Sequence, residues 1–85
     1  MEHDKELKIK IQSTRGTKEF SFAKETKIVE VIKKAVAEFG FAHTDKFDLV
    51  FATKPEEPLD PERTLVSYHV VDGTVFILTA VGGGV

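Results

Sequence analysis

Within residues 26–41, TKIVEVIKKAVAEFGF, the residues Ile28, Val31, Ile32, Ala35, Val36 and Phe39 recur at three- and four-residue steps. At about 100° per residue they fall within an arc of roughly 140°, while Glu30, Lys33, Lys34 and Glu38 lie opposite. The stretch reads as an amphipathic helix with one apolar stripe. A chain of 85 residues has room for a single core in which to bury that stripe. Thr26 is placed to cap the first turn by accepting a free N–H, and Gly40 to close the last turn in the left-handed conformation. The layer that faces this helix must then come from strands.

Strand patterns flank it on both sides. Leu7, Ile9 and Ile11 alternate with Lys8, Lys10 and Gln12, which predicts a half-buried strand. STRGT supplies a glycine-containing turn, and KEFSFA sets Phe20 and Phe22 on a shared face, so the two runs predict a hairpin with a longer loop. FDLVFA places Phe47, Leu49 and Phe51 inward and Asp48, Val50 and Ala52 outward. TKPEEPLDPERT holds all three prolines and reads as a loop, with Leu59 in a short edge strand. TLVSYHVVDGT predicts a brief helical turn ahead of Asp72-Gly73, and residues 75–80 the last strand. The expected fold is α+β, in the order β-β-α-β-(β)-β: a mixed sheet of four to five strands packed on one helix. One domain is expected over residues 1–81, with 1–5 disordered and 82–85 a flexible glycine-rich tail.

Composition narrows the chemistry. The chain has no cysteine, which removes thiolate nucleophiles, disulfides and Cys-based zinc sites. His3, His43 and His69 are too widely separated in sequence to show a metal-ligand spacing, and the Glu56-Glu57 pair sits in the proline-rich loop with no nucleophile beside it. Catalysis by this chain is not expected, nor is a metal or a cofactor. The longest apolar run, VFILTAV, is far short of the roughly 20 residues of a membrane span, and MEHDKELK lacks the apolar middle of a signal peptide. The expected setting is cytoplasmic. With a net charge of −2 and only the thin basic scatter Lys5, Lys8 and Lys10, nucleic acid is not an expected partner.

Three segments carry a closer likeness. ERTLVSYHV at 62–70 is similar to ubiquitin's run of Arg-Thr-Leu, two residues, Tyr, one residue and an aliphatic. DLVFA is similar to the Leu-Ile-Phe-Ala of its middle strand, and DGTVFILTAVGGG to its last strand and Gly-Gly tail, here Gly83-Gly84. In these segments, and in the order of elements from Leu7 to Gly84, the chain resembles ubiquitin and the β-grasp ubiquitin-like proteins. In this picture Tyr68 is structural: its ring enters the core and its hydroxyl reaches a backbone group of the proline-rich loop.

The resemblance implies a function for the tail. Ubiquitin-like modifiers present a C-terminal glycine carboxylate that an activating enzyme adenylates with ATP and passes to a thiol, before an isopeptide bond forms with a target amine. Gly84 corresponds to the reacting residue, with Gly83 and Gly82 as the slender approach that lets enzyme backbone come close. Val85 departs from the pattern, because its β-branched side chain crowds the site of activation; its removal by a processing peptidase is implied. Thr79, Ala80 and Val81 stand where ubiquitin has two arginines and leucines, which suits a bacterial-style set of partners better than a ubiquitin-type activating enzyme. The implied partners are activating and conjugating enzymes, the peptidase and protein targets, all meeting a monomer. The same tail suits a sulfur carrier with a terminal thiocarboxylate, and a noncovalent ubiquitin-like binding module needs no tail at all. If Val75 and Ile77 face the helix, Val50, Phe76 and Leu78 form an outward docking patch. Lys34 and Lys54 resemble lysines that ubiquitin uses to build chains.

Overall fold

Strand alternation sets the first ladder. In the computed structural model, which describes residues 6–41 and 46–80, β1 (Leu7–Ser13) and β2 (Gly16–Phe22) run antiparallel, with Ile9 opposite Phe20 and Ile11 opposite Lys18. The turn is tighter than the expected longer loop. Ser13 pairs with Gly16, so only Thr14 and Arg15 lie outside the ladder, and the Ser13 hydroxyl closes the turn by accepting the Arg15 N–H at 3.0 Å.

The helix α1 (Ile28–Phe39) buries Ile28, Val31, Ala35, Val36 and Phe39 of the predicted stripe and leaves its sixth member, Ile32, half-buried against the core. Its start differs from expectation. Thr26 does not cap it; Lys27 occupies the cap position with no side-chain bond. The first free N–H groups instead reach across to a loop, Ile28 donating to the Arg63 carbonyl at 2.8 Å and Val29 to that of Pro61 at 3.0 Å. Tertiary backbone thereby satisfies the donors that a side chain would otherwise cap. The other end is as expected. Gly40 is left-handed at φ 79°, its N–H donating to Ala37 O and that of Phe41 to Val36 O, the paired bonds of a Schellman close.

β3 (Phe47–Phe51) and β4 (Val75–Ala80) complete a four-stranded sheet of order β2-β1-β4-β3. β4 is central: it runs parallel to β1 and antiparallel to β3. The possible fifth strand is absent among the described residues. Leu59 is buried and its N–H donates to Leu49 O at 2.9 Å, but the bond stands alone. Pro58 immediately before it has no N–H and a fixed φ, so no ladder extends from that bond.

The loop from residue 52 to 74 closes over one end of the core. Leu59, Leu65 and Val70 insert into the cluster formed by Ile9, Ile11, Phe20, Leu49, Phe76, Leu78 and the helix stripe. A 3₁₀ turn at Val66–Tyr68 follows Leu65, as the expected helical turn. Tyr68 pins this loop as expected: its hydroxyl accepts the Asp60 N–H at 2.7 Å, and its ring packs edge-on to Phe51 with centroids 6.0 Å apart. The Arg63 guanidinium covers the other side, 4.3 Å from the ring centroid. Tyr68→Phe keeps the ring contacts and returns the exposed Asp60 N–H to water. We expect a loss of about 1 kcal/mol in urea denaturation and a fall in melting temperature of roughly 5 °C; an unchanged midpoint would show the bond to be idle.

Candidate functional site

The end of β4 is the last described point of the chain ahead of the expected glycine-rich tail. Gly82, Gly83, Gly84 and Val85 themselves lie outside the described residues. Ala80, the last described residue, stands opposite Phe47 on β3. Around it opens a cleft of about 450 Å³, walled by Phe41, Phe47 and Ile77 and rimmed by Gln12 and Thr14. The Phe41 and Phe47 rings lie 4.9 Å apart by centroid.

One cation organises this end of the molecule. From the hairpin turn, Arg15 Nη1 donates to the carbonyls of Phe39 at 3.1 Å and Gly40 at 3.0 Å, while its guanidinium carbon sits 4.6 Å over the Phe41 ring. A positive charge at the negative end of the helix dipole, bonded to carbonyls left free by the last turn, ties the turn to the helix end. Sequence reasoning placed Arg15 only in the turn. The contact joins residues 24 and 25 positions apart, and no local pattern marks it.

The expected docking patch is overturned. Phe76 is 0% exposed, Leu78 4% and Val50 2%, so none of the three offers surface to a partner. The register shows why for β4: Phe76 lies opposite both inward Ile11 and Phe51, and Leu78 opposite inward Leu49. Opposed residues share a face, so Phe76 and Leu78 point into the core and Val75, Ile77 and Thr79 point away from it, the reverse of the expected phase. Val50 does share the outer face with Ile77, its register partner, yet is covered there. The outer apolar residues are thus Val75 and Ile77, both half-buried.

Other expected positions are spread out. Lys34 is exposed on α1, its Nζ 3.8 Å from a Glu38 carboxylate oxygen, and Lys54 is exposed just past β3. His69 is exposed after the 3₁₀ turn in the left-handed conformation, while His3 and His43 lie outside the described residues. Among the described residues no group of three or more His, Cys, Asp or Glu side chains could hold a metal ion, and no helix is long and apolar enough to cross a membrane.

A family model described as "Protein of Unknown function (DUF2604)" matches residues 2–85. No curated protein matches the sequence. Among solved structures, the ubiquitin of Caldiarchaeum subterraneum is 27% identical, with 94% of this chain and 100% of that one covered at a TM-score of 0.74. A designed protein based on ubiquitin is 24% identical over 93% of each chain, with a TM-score of 0.75. The ubiquitin-like domain of Plasmodium falciparum Dsk2 is 14% identical and has the same fold at a TM-score of 0.75, with 89% of this chain and 99% of that one covered. One helix on a mixed sheet of order β2-β1-β4-β3 is the arrangement these share with it, and the chain is a ubiquitin-like β-grasp protein of the DUF2604 family.

Proposed function

We propose that this chain is a ubiquitin-like protein modifier, joined to target amines through Gly84 once Val85 has been removed. The observation that carries the reading is the conjunction of a triglycine, Gly82 to Gly84, beginning two residues after the end of β4, with likeness to an archaeal ubiquitin over that protein's whole length. The chain contributes an end to be activated, and the reactive machinery belongs to its partners. A carboxylate is a poor acyl donor. An activating enzyme converts it to an acyl-adenylate, releasing pyrophosphate from ATP; a thiol displaces AMP to form a thioester; and an amine displaces the thiol, losing a proton to give the isopeptide bond.

Reach supports a role for the cleft beside Ala80. Four residues, Val81 to Gly84, extend at most about 14 Å. An enzyme with its catalytic centre at Gly84 therefore abuts the end of the sheet, where Phe41, Phe47 and Ile77 wall the cleft. Exposed Lys34 and Lys54 offer amines for linking one copy to another.

Intact-mass measurement of the protein from its own cells tests the reading. Loss of one valine, together with heavier adducts that Gly84→Ala reduces at least tenfold, is the expected result. Full-length protein that forms no adduct with its native activating enzyme would refute conjugation. Exchange of one terminal oxygen for sulfur would assign a sulfur carrier instead, and full function after deletion of residues 82–85 a noncovalent binding module.

A further inference from the structure

The sheet has two edge strands: β3, which accepts a bond from the Leu59 N–H at Leu49 O, and β2, whose one strand neighbour is β1. Which backbone groups face out from it follows from β1. The Lys10 N–H donates to Thr74 O at 3.0 Å and the Lys8 N–H to the Asp72 carboxylate at 2.9 Å, so these residues turn their backbone groups toward β4. Ile9 and Ile11 turn theirs toward β2, where they meet Phe20 and Lys18. It follows that Thr17, Glu19 and Ser21 direct their N–H and C=O groups outward, and among the described residues these groups have no partner. They form a row of donors and acceptors repeating about every 7 Å, a template for another strand.

The side chains along this edge specify what can pair with it. On the helix side stand Lys18, Phe20 and Phe22; the two rings stack with centroids 5.9 Å apart, and Lys18 Nζ lies 5.9 Å from the Phe39 ring. On that side Phe20 is buried against Phe39 of α1, ring centroids 6.2 Å apart, while Phe22 is half-buried and Lys18 exposed. For two copies of β2 meeting antiparallel about a two-fold axis, opposed residues must share a face, which restricts the axis to a residue centre. An axis at Lys18 opposes two lysines, one at Glu19 opposes two glutamates, and one at Thr17 or Ser21 overlaps only three residues of each strand. An axis at Phe20, whose own ring stays buried in the core of each copy, sets Lys18 against Phe22 of the second copy and Glu19 against Ser21 of the second copy. That register opposes no like charges and pairs residues whose free backbone groups both point outward.

We propose that β2 is a self-pairing edge, which adds β2 of a second copy of this chain antiparallel with Phe20 on the two-fold axis. Glu19 and Ser21 of the two copies exchange N–H···O=C bonds, twice by symmetry, and exposed Lys18 of each copy lies beside half-buried Phe22 of the other. The contact is small, so pairing is weak and appears as concentration rises. The monomer expected from sequence is its dilute state.

Sedimentation velocity of the full chain from about 10 µM to about 1 mM, with amide hydrogen exchange at both ends of the range, tests the register. A dimer should grow in with concentration and protect the Glu19 and Ser21 amides. Ser21→Pro removes an N–H that the monomer does not use and should abolish the dimer. Ser21→Lys, opposite Glu19 of the second copy, should tighten pairing roughly tenfold, and Ser21→Glu should weaken it by a similar factor. Within one copy the signs reverse, because Ser21 is the register partner of Lys8, so melting curves separate the two effects. A chain that stays monomeric throughout overturns the proposal. So does association that survives Ser21→Pro, or that responds equally to both charges.

Discussion

Phe76→Ala is expected to lower stability by about 4 kcal/mol and the melting temperature by roughly 20 °C, whereas Ile77→Ala, one residue further along β4, costs about 1 kcal/mol or less. Phe76 is fully buried, stacks on Phe51 with centroids 5.1 Å apart, and lies between β1 and β3 on the central strand. Truncating it removes most of an aromatic side chain from the centre of a small core, and neighbours held in two ladders cannot collapse into the space. Ile77 is half-buried on the opposite face, where truncation leaves a shallow surface dent. Set against a total of 5–15 kcal/mol typical of domains, the first loss is a large fraction and the second a small one. Urea denaturation of both variants decides the matter. Equal losses, or a larger loss at Ile77, would contradict the strand register.

Arg15→Ala is expected to cost about 2 kcal/mol, an unusually large effect for a residue in an exposed turn. The guanidinium makes two bonds to carbonyls at the helix end and covers the Phe41 ring. Removing it returns those carbonyls to water, withdraws a cation from the negative end of the helix and uncovers one wall of the cleft. Arg15→Lys should recover less than half of the loss, because an ammonium restores the charge but not the planar fork or the stacking. Hydrogen exchange reports where the loss falls: the Gly40 and Phe41 amides, which close the helix onto Ala37 and Val36, should exchange faster in Arg15→Ala. An unchanged unfolding midpoint would mean that the clamp contributes nothing to stability.

Both effects arise at points that local pattern did not reveal. Along β4 the residues Val75, Phe76, Ile77 and Leu78 are all apolar, so no alternation with polar residues marks which face is inward. Only pairing with Ile11, Leu49 and Phe51 selects the inward set, and a slip of one residue exchanges the two faces. Thr26 has the chemistry of a cap, yet carbonyls of Pro61 and Arg63, more than 30 positions away, reach the helix donors first. By contrast, the polar residues that alternate through β1 declared its inward side, and Tyr68 was legible through a motif whose hydroxyl contact spans only eight positions.

By itself, then, the sequence determined the element types, their order, the buried stripe of α1 and its glycine close, because those depend on residues within a few positions of one another. The tertiary structure alone decided which face of β4 is buried, what caps the helix start and what Arg15 holds. Each of these depends on which distant backbone groups come within bonding distance, and that is set only once the sheet has chosen its register and the loop from residue 52 to 74 has closed over the core.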